Sequence, residues 1–260
     1  MTFAANRRPR VPGIGLAIAL AFACIPIPGP SAPPSTLLRW ESRQRMSEPR
    51  THFARAVAGD GVVIVGGLLR GGSPSSRVDR YDAGDDRWDT LAPLPLQVDH
   101  AMAVAIGDDV FVFGGDFARP SQRSFRFRGG SWEEIAPMPE PRAAGAAVVV
   151  GGQVFVIGGL GAGRSHPNAT LVFSSATGAW RVVAPIPTAR EHLAATVFQD
   201  EICALGGYVI GAAPLKVVEC YAPSVDRWRT LPPMPRAASD FDAAVLRDTI
   251  WTVGDDTQYF

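Results

Sequence analysis

Five apolar runs in this 260-residue chain end on glycine: VVIVGG, VFVFGG, VFVIGG, ICALGG and IWTVGD. Their first glycines, Gly66, Gly114, Gly158, Gly206 and Gly254, are spaced by 48, 44, 48 and 48 residues. Trp40, Trp88, Trp132, Trp180 and Trp228 step by the same uneven rhythm. Seven residues before each of the last four stands an aromatic: Tyr81, Phe125, Phe173 and Tyr221. Unrelated residue types that keep one long period mark a repeat, in which each unit is a single supersecondary motif stacked on its neighbours.

Each unit reads as four short strands, a to d. In the third, AGAAVVV (Ala144 to Val150) is strand a, and the Gly151-Gly152 turn leads to strand b, QVFVIGG. Strand c lies near ATLVFS and strand d is AWRVVAP. The a–b connections carry Gly59-Asp60, Gly107-Asp108, Gly151-Gly152, Gln199-Asp200 and Arg247-Asp248, and Gly and Asp there tolerate the positive φ of a tight hairpin. Continuous apolar character in a and b implies burial on both faces. The expected fold is all-β: a propeller of four-stranded antiparallel blades, about five of them visible.

A Gly-Gly pair closing strand b, an aromatic in strand c, Trp in strand d and the endings LAPLP, IAPMP, VAPIP and LPPMP together resemble the kelch repeat. The resemblance covers residues 37–260. It implies that the Trp packs between adjacent blades as core, and that the glycine pair serves a sharp turn beside its neighbour. Kelch propellers host binding proteins and enzymes alike, so the fold alone does not name a function.

Residues 1–24 read as a signal peptide: Arg7, Arg8 and Arg10 precede the apolar GIGLAIALAFAC, with Ala21-Phe22-Ala23 as a cleavage site. Residues 25–36 form a Pro-rich, extended linker. The expectation is export to the periplasm or beyond, with membrane attachment only if Cys24 is lipidated. Basic and acidic residues balance at 25 each, so no basic field argues for nucleic acid. Cys203 and Cys220 fall on neighbouring strands at positions that need not face each other, and buried free thiols are expected.

Fourteen residues before the glycine landmarks lie His52, His100, Ala144, His192 and Asp240; two residues earlier lie Arg50, Val98, Arg142, Arg190 and Ala238. This slot leads into strand a, the innermost strand of a propeller blade, on the face that carries the b–c loops. Two readings stand. The Arg and His side chains hydrogen-bond linker carbonyls and neighbouring blades, as a repeated slot suggests. Alternatively, Arg50, His52, His100, Arg142, Arg190, His192 and Asp240 form a channel rim that holds an anionic or carbohydrate ligand. No metal site is expected, because nothing in the sequence makes the three imidazoles converge on one ion. No cofactor motif is present.

The b–c loops, Leu68 to Arg77, Gly159 to Asn168 and Tyr208 to Lys216, are Gly/Ser/Pro-rich and differ between blades, as partner-binding loops do. The expected function is a binding or interaction module for a protein or carbohydrate ligand. The alternative is an enzyme resembling sialic acid mutarotases, in which the arginines grip a carboxylate and an imidazole moves a proton. Finally, the C-terminal unit lacks a strand d, and Leu37 to Arg43, with Trp40 in the tryptophan slot, offers one. The ring is either closed by this N-terminal strand or cut short after Phe260.

Overall fold

Strands of five residues, the first two of each sheet joined by a two-residue hairpin, recur through the computed structural model, which describes residues 41–254 and the pair 258–259. The first sheet holds β1 (Ala54–Ala58), β2 (Gly61–Val65), β3 (Val78–Asp82) and β4 (Arg87–Leu91). The second holds β5 (Met102–Ile106), β6 (Asp109–Phe113), β7 (Ser124–Arg128) and β8 (Ser131–Ile135). The third holds β9 (Ala146–Val150), β10 (Gln153–Ile157), β11 (Thr170–Ser174) and β12 (Trp180–Val183). The fourth holds β13 (Ala194–Phe198), β14 (Glu201–Leu205), β15 (Val218–Ala222) and β16 (Arg227–Leu231). The last described sheet has β17 (Asp242–Leu246), β18 (Thr249–Val253) and β19 (Gln258–Tyr259). Every pairing is antiparallel between consecutive strands, so each sheet is a meander.

The core is divided into slabs between blades, and strand alternation decides which slab each residue joins. On β6, Val110 and Val112 pack with Val63, Val65 and Val78 of the first blade. Phe111 and Phe113 point the other way, onto Val154, Val156 and Leu171 of the third. On β10, Phe155 and Ile157 turn to the fourth blade, against Ile202 and Ala204. A strand buried on both faces cannot alternate apolar with polar, which is why strand b reads as an unbroken apolar run. Each such side chain contributes about 1.5–3 kcal/mol of burial.

The repeat residues do the joining. Trp88, Trp132, Trp180 and Trp228 donate their indole N–H to the carbonyls of Gln44, Ala92, Ala136 and Ala184, each in the linker before their own blade. Gln44 thus occupies the position four residues past a repeat tryptophan, in register with Trp40. The proposed closing strand itself, Leu37 to Arg43, lies mostly outside the described residues, as do the leader and the linker. Its last three residues carry no strand.

Phe125 lies on strand c, but in the second blade Phe127 stands opposite Trp132, with ring centroids 5.1 Å apart, because the c–d hairpin at Gly129-Gly130 is shorter than in the other blades. One expectation, that of free thiols, needs correction. Cys203 of β14 lies directly opposite Cys220 of β15, and the two form a disulfide. Directly opposed residues of an antiparallel pair share a face, so the register that matches Leu205 with Val218 brings both thiols into one slab.

The innermost strands, β1, β5, β9, β13 and β17, stand around a channel of about 860 Å³. Its wall is built of small residues, among them Ala103, Ala105, Ala147 and Ala195. An ion pair between Arg55 on β1 and Asp242 on β17 ties the first and last of these strands together.

Candidate functional site

The slot that leads into strand a has one backbone conformation in all five blades. His52, His100, Ala144, His192 and Asp240 have φ of 50, 51, 54, 51 and 56°. Left-handed backbone is costly for most side chains, and His and Asp are among those that tolerate it best. What it allows is a run of bonds between blades. The N–H of His100 donates to the His52 carbonyl, Ala144 to His100, His192 to Ala144 and Asp240 to His192, at 2.7–3.1 Å. The glycine pair sits against the same segments. A Cβ on Gly158 (φ 61°) would lie 2.5 Å from the Arg190 carbonyl oxygen, so only glycine fits.

This geometry sends the slot side chains into one mouth of the channel. The His52 and His100 rings stack at 4.2 Å between centroids, and His192 meets His100 edge-on at 5.1 Å. Phe117 stacks on His100 at 4.6 Å, and Tyr208 on His192 at 5.1 Å. Both aromatics come from b–c connections, so those loops and the slot share a face. Asp240 Oδ1 lies 3.4 Å from His192 Nε2 and 3.8 Å from His52 Nε2. The His100 and His192 side chains are nearly buried, whereas His52 and Asp240 are 38% and 47% exposed.

Burial governs the protonation of these groups. It pushes His192 down to about 4, with His100 and His52 adding to the effect and Asp240 opposing it. His52 is lowered by burial and then by His100, again against Asp240. Asp99 is partly buried, which works against its charge, yet its bond to His100 Nδ1 (2.5 Å) and the Phe117 N–H hold it below the usual carboxylate range. Glu191 is pushed up by burial, with His166, Arg164 and His100 opposing. Both its carboxylate oxygens are buried without a hydrogen bond.

The arginines are elsewhere. Arg50, Arg142 and Arg190 are 6%, 0% and 0% exposed and do not line the channel. Arg50 donates to the carbonyls of Gly66 and Arg77 and pairs with Asp79 at 2.5 Å. Arg190 donates to the Ala204 and Thr188 carbonyls and pairs with Glu219 at 2.5 Å. Arg142 reaches Glu140 and the Ala169 carbonyl, leaving Nε and Nη1 without partners. Of the two readings of the slot, the arginines follow the first, as fasteners bonded to backbone carbonyls, while the imidazoles and Asp240 stand at the channel rim. In extended backbone, residues two apart point the same way. The left-handed turn at the histidine breaks that alternation.

The premise against a metal site also fails, because one ring nitrogen from each of His52, His100 and His192 lies within 4.8 Å of the others. Sequence reasoning passed over Asp99, Phe117, Glu191 and Tyr208. The acids were findable, since each immediately precedes a slot histidine. The aromatics were not, because the b–c loops share no spacing.

Five sheets meandering outward from a channel, with glycine pairs braced against the next linker, define a β-propeller of the kelch class. The family described as the KLHDC2/KLHL20/DRC7 Kelch-repeats domain matches residues 51–255, and the chain belongs to the kelch-repeat family. The human Kelch-like protein 34 is 37% identical over 82 residues, covering 31% of this chain and 13% of that protein. The F-box protein AFR of Arabidopsis thaliana is 30% identical over 78 residues, 30% of this chain and 21% of that protein. The match thus spans only a small part of these relatives. A solved structure described as the structure of YjhT superposes with a TM-score of 0.68 at 18% identity, over 81% of this chain and 74% of that one, and shows the fold alone.

Proposed function

We propose that this chain is an exported kelch propeller that binds a protein partner on its b–c loop face, centred on the histidine mouth of the channel. One observation carries the reading: aromatic faces from two loops and four titratable groups from three blades and the start of a fourth converge at a single opening. Such a cluster offers stacking, hydrogen bonding and charge at one place on a rigid ring. The exposed Arg164 guanidinium lies 5.6 Å over Phe117 and extends the same surface. Export rests on the leader sequence and is supported by the disulfide, since such bonds persist in oxidising compartments.

The sugar-active alternative needs a clamp for a carboxylate. The three arginines assigned to it are spent inside the blades. The imidazoles it assigned to proton transfer do gather at the channel mouth, so that reading keeps its acid–base groups and lacks its clamp.

A photo-crosslinking residue placed at Ser73 or Arg164 on the loop face, and at Asp108 or Asp200 on the a–b hairpin face, tests the binding reading in the exported protein. Crosslinks to a partner from Ser73 and from Arg164, the Ser73 crosslink being lost in Arg164→Glu, and none from the second pair, are expected. Equal or reversed yields from the two faces would contradict it.

A further inference from the structure

We propose that His52, His100 and His192, with Asp240 as a fourth donor, form a binding site for a divalent transition-metal ion of the zinc type at the channel mouth. The donor set is the one such ions select: imidazole nitrogens with one carboxylate, on a borderline-soft cation. Three ring nitrogens, one per residue, lie within 4.8 Å of one another. Asp240 Oδ1 sits between the Nε2 atoms of His192 and His52, at 3.4 and 3.8 Å.

The surroundings orient the rings as ligands need. A metal-binding histidine holds its other ring nitrogen against an acceptor, which fixes the ring and raises its basicity. Here the residue just before each histidine faces its Nδ1. Thr51 Oγ1 lies 3.1 Å from His52, Asp99 Oδ1 2.5 Å from His100, and Glu191 Oε2 4.0 Å from His192. That arrangement leaves the Nε2 atoms of His52 and His192 turned toward Asp240. Two buried groups also make no hydrogen bond, His192 Nδ1 and the Glu191 carboxylate, the latter with His166 Nε2 at 3.6 Å on its other oxygen, and a cation drawing charge from His192 would strengthen the contact between them.

The fit requires a movement. Nitrogens bound at about 2.0–2.1 Å around a tetrahedral ion are about 3.3 Å apart, closer than the present limit. Stacked imidazoles cannot both aim their lone pairs at one ion. His100 and His192 are packed in place, while His52 is 38% exposed and is the ring that must swing off the stack.

This inference does not depend on the partner-binding reading, and its test contains no partner. The exported protein, stripped with a chelator and dialysed, is titrated calorimetrically with Zn²⁺ near neutral pH. The Cu²⁺ form is examined by electron paramagnetic resonance, which reports nitrogen ligands in the unaltered protein. One ion per chain and nitrogen hyperfine structure are expected. His52→Ala removes a half-exposed side chain, so it folds, and it should bind about 100-fold more weakly. Asp99→Asn should weaken binding by about 10-fold through His100. Absence of saturable one-to-one binding, Cu²⁺ spectra without nitrogen hyperfine structure, or a folded His52→Ala protein that binds as tightly as the original would overturn the proposal.

Discussion

The backbone N–H of His100 donates to the carbonyl of His52 at 2.8 Å, across the boundary between the first two blades. The same bond recurs at the next three boundaries, so the slot fastens the inner ring while its side chains are left free to differ. One position thus serves two purposes. The backbone is structural in every blade, and the imidazoles of three blades supply the site.

The braced glycine turn should be intolerant of any side chain. Gly158→Ala meets both a left-handed backbone and the Arg190 carbonyl, and should cost about 3 kcal/mol or more by denaturant unfolding. Gly178→Ala has a similar φ of 71° with open space around it, and should cost only about 1 kcal/mol.

The buried arginines should differ in worth. Arg190→Met strands the Glu219 carboxylate in the core and should cost about 3–5 kcal/mol, most of it recovered by adding Glu219→Leu. The second blade already uses this apolar solution, with Val98 and Phe125 at the equivalent positions. Arg142→Met removes a guanidinium with two unpartnered nitrogens and should be close to neutral. Unfolding curves of the three variants decide this.

Removing the disulfide should be costly because it closes a loop of 17 residues in the unfolded chain. Cys203→Ala/Cys220→Ala should lose about 3 kcal/mol. Intact mass with and without reductant should differ by two hydrogen atoms, and equal masses would show free thiols.

These sites also show what the sequence could reveal. Strand order within a blade and the recurring slot were legible because a 3.4 Å-per-residue strand with a two-residue hairpin leaves little freedom between landmarks. The disulfide was not, because its register depends on the irregular loop Tyr208 to Lys216. Nor were the acids paired with Arg50 and Arg190, since Asp79 and Glu219 lie 29 residues away on strand c. The convergence of the histidines was hidden for a third reason. The positive φ that turns them inward is a backbone property that His allows but does not announce.

Stability should depend on pH through two neighbours with opposite signs. The folded His192 titrates at about 4, below the ordinary 6.5, so the fold favours its neutral form. That contribution is full above pH 6.5 and should be lost as pH falls toward 4. Glu191 is shifted upward, so its contribution is present in acid and lost as pH rises through its folded value. Glu191→Gln should therefore raise the Tm near pH 7 and have little effect in acid, as read by calorimetry across the range.

The site as a whole rests on the gathering of His52, His100 and His192 at one mouth. Long-range nitrogen–proton NMR of the imidazoles, followed from pH 8 to pH 3.5 in metal-free protein, tests that gathering most directly. His192 should stay neutral until about pH 4, and replacing His100 by Ala should shift its titration upward, because an electrostatic effect that lowers it is removed. Independent titrations of His52 and His192 near pH 6.5, unaffected by loss of His100, would contradict the site.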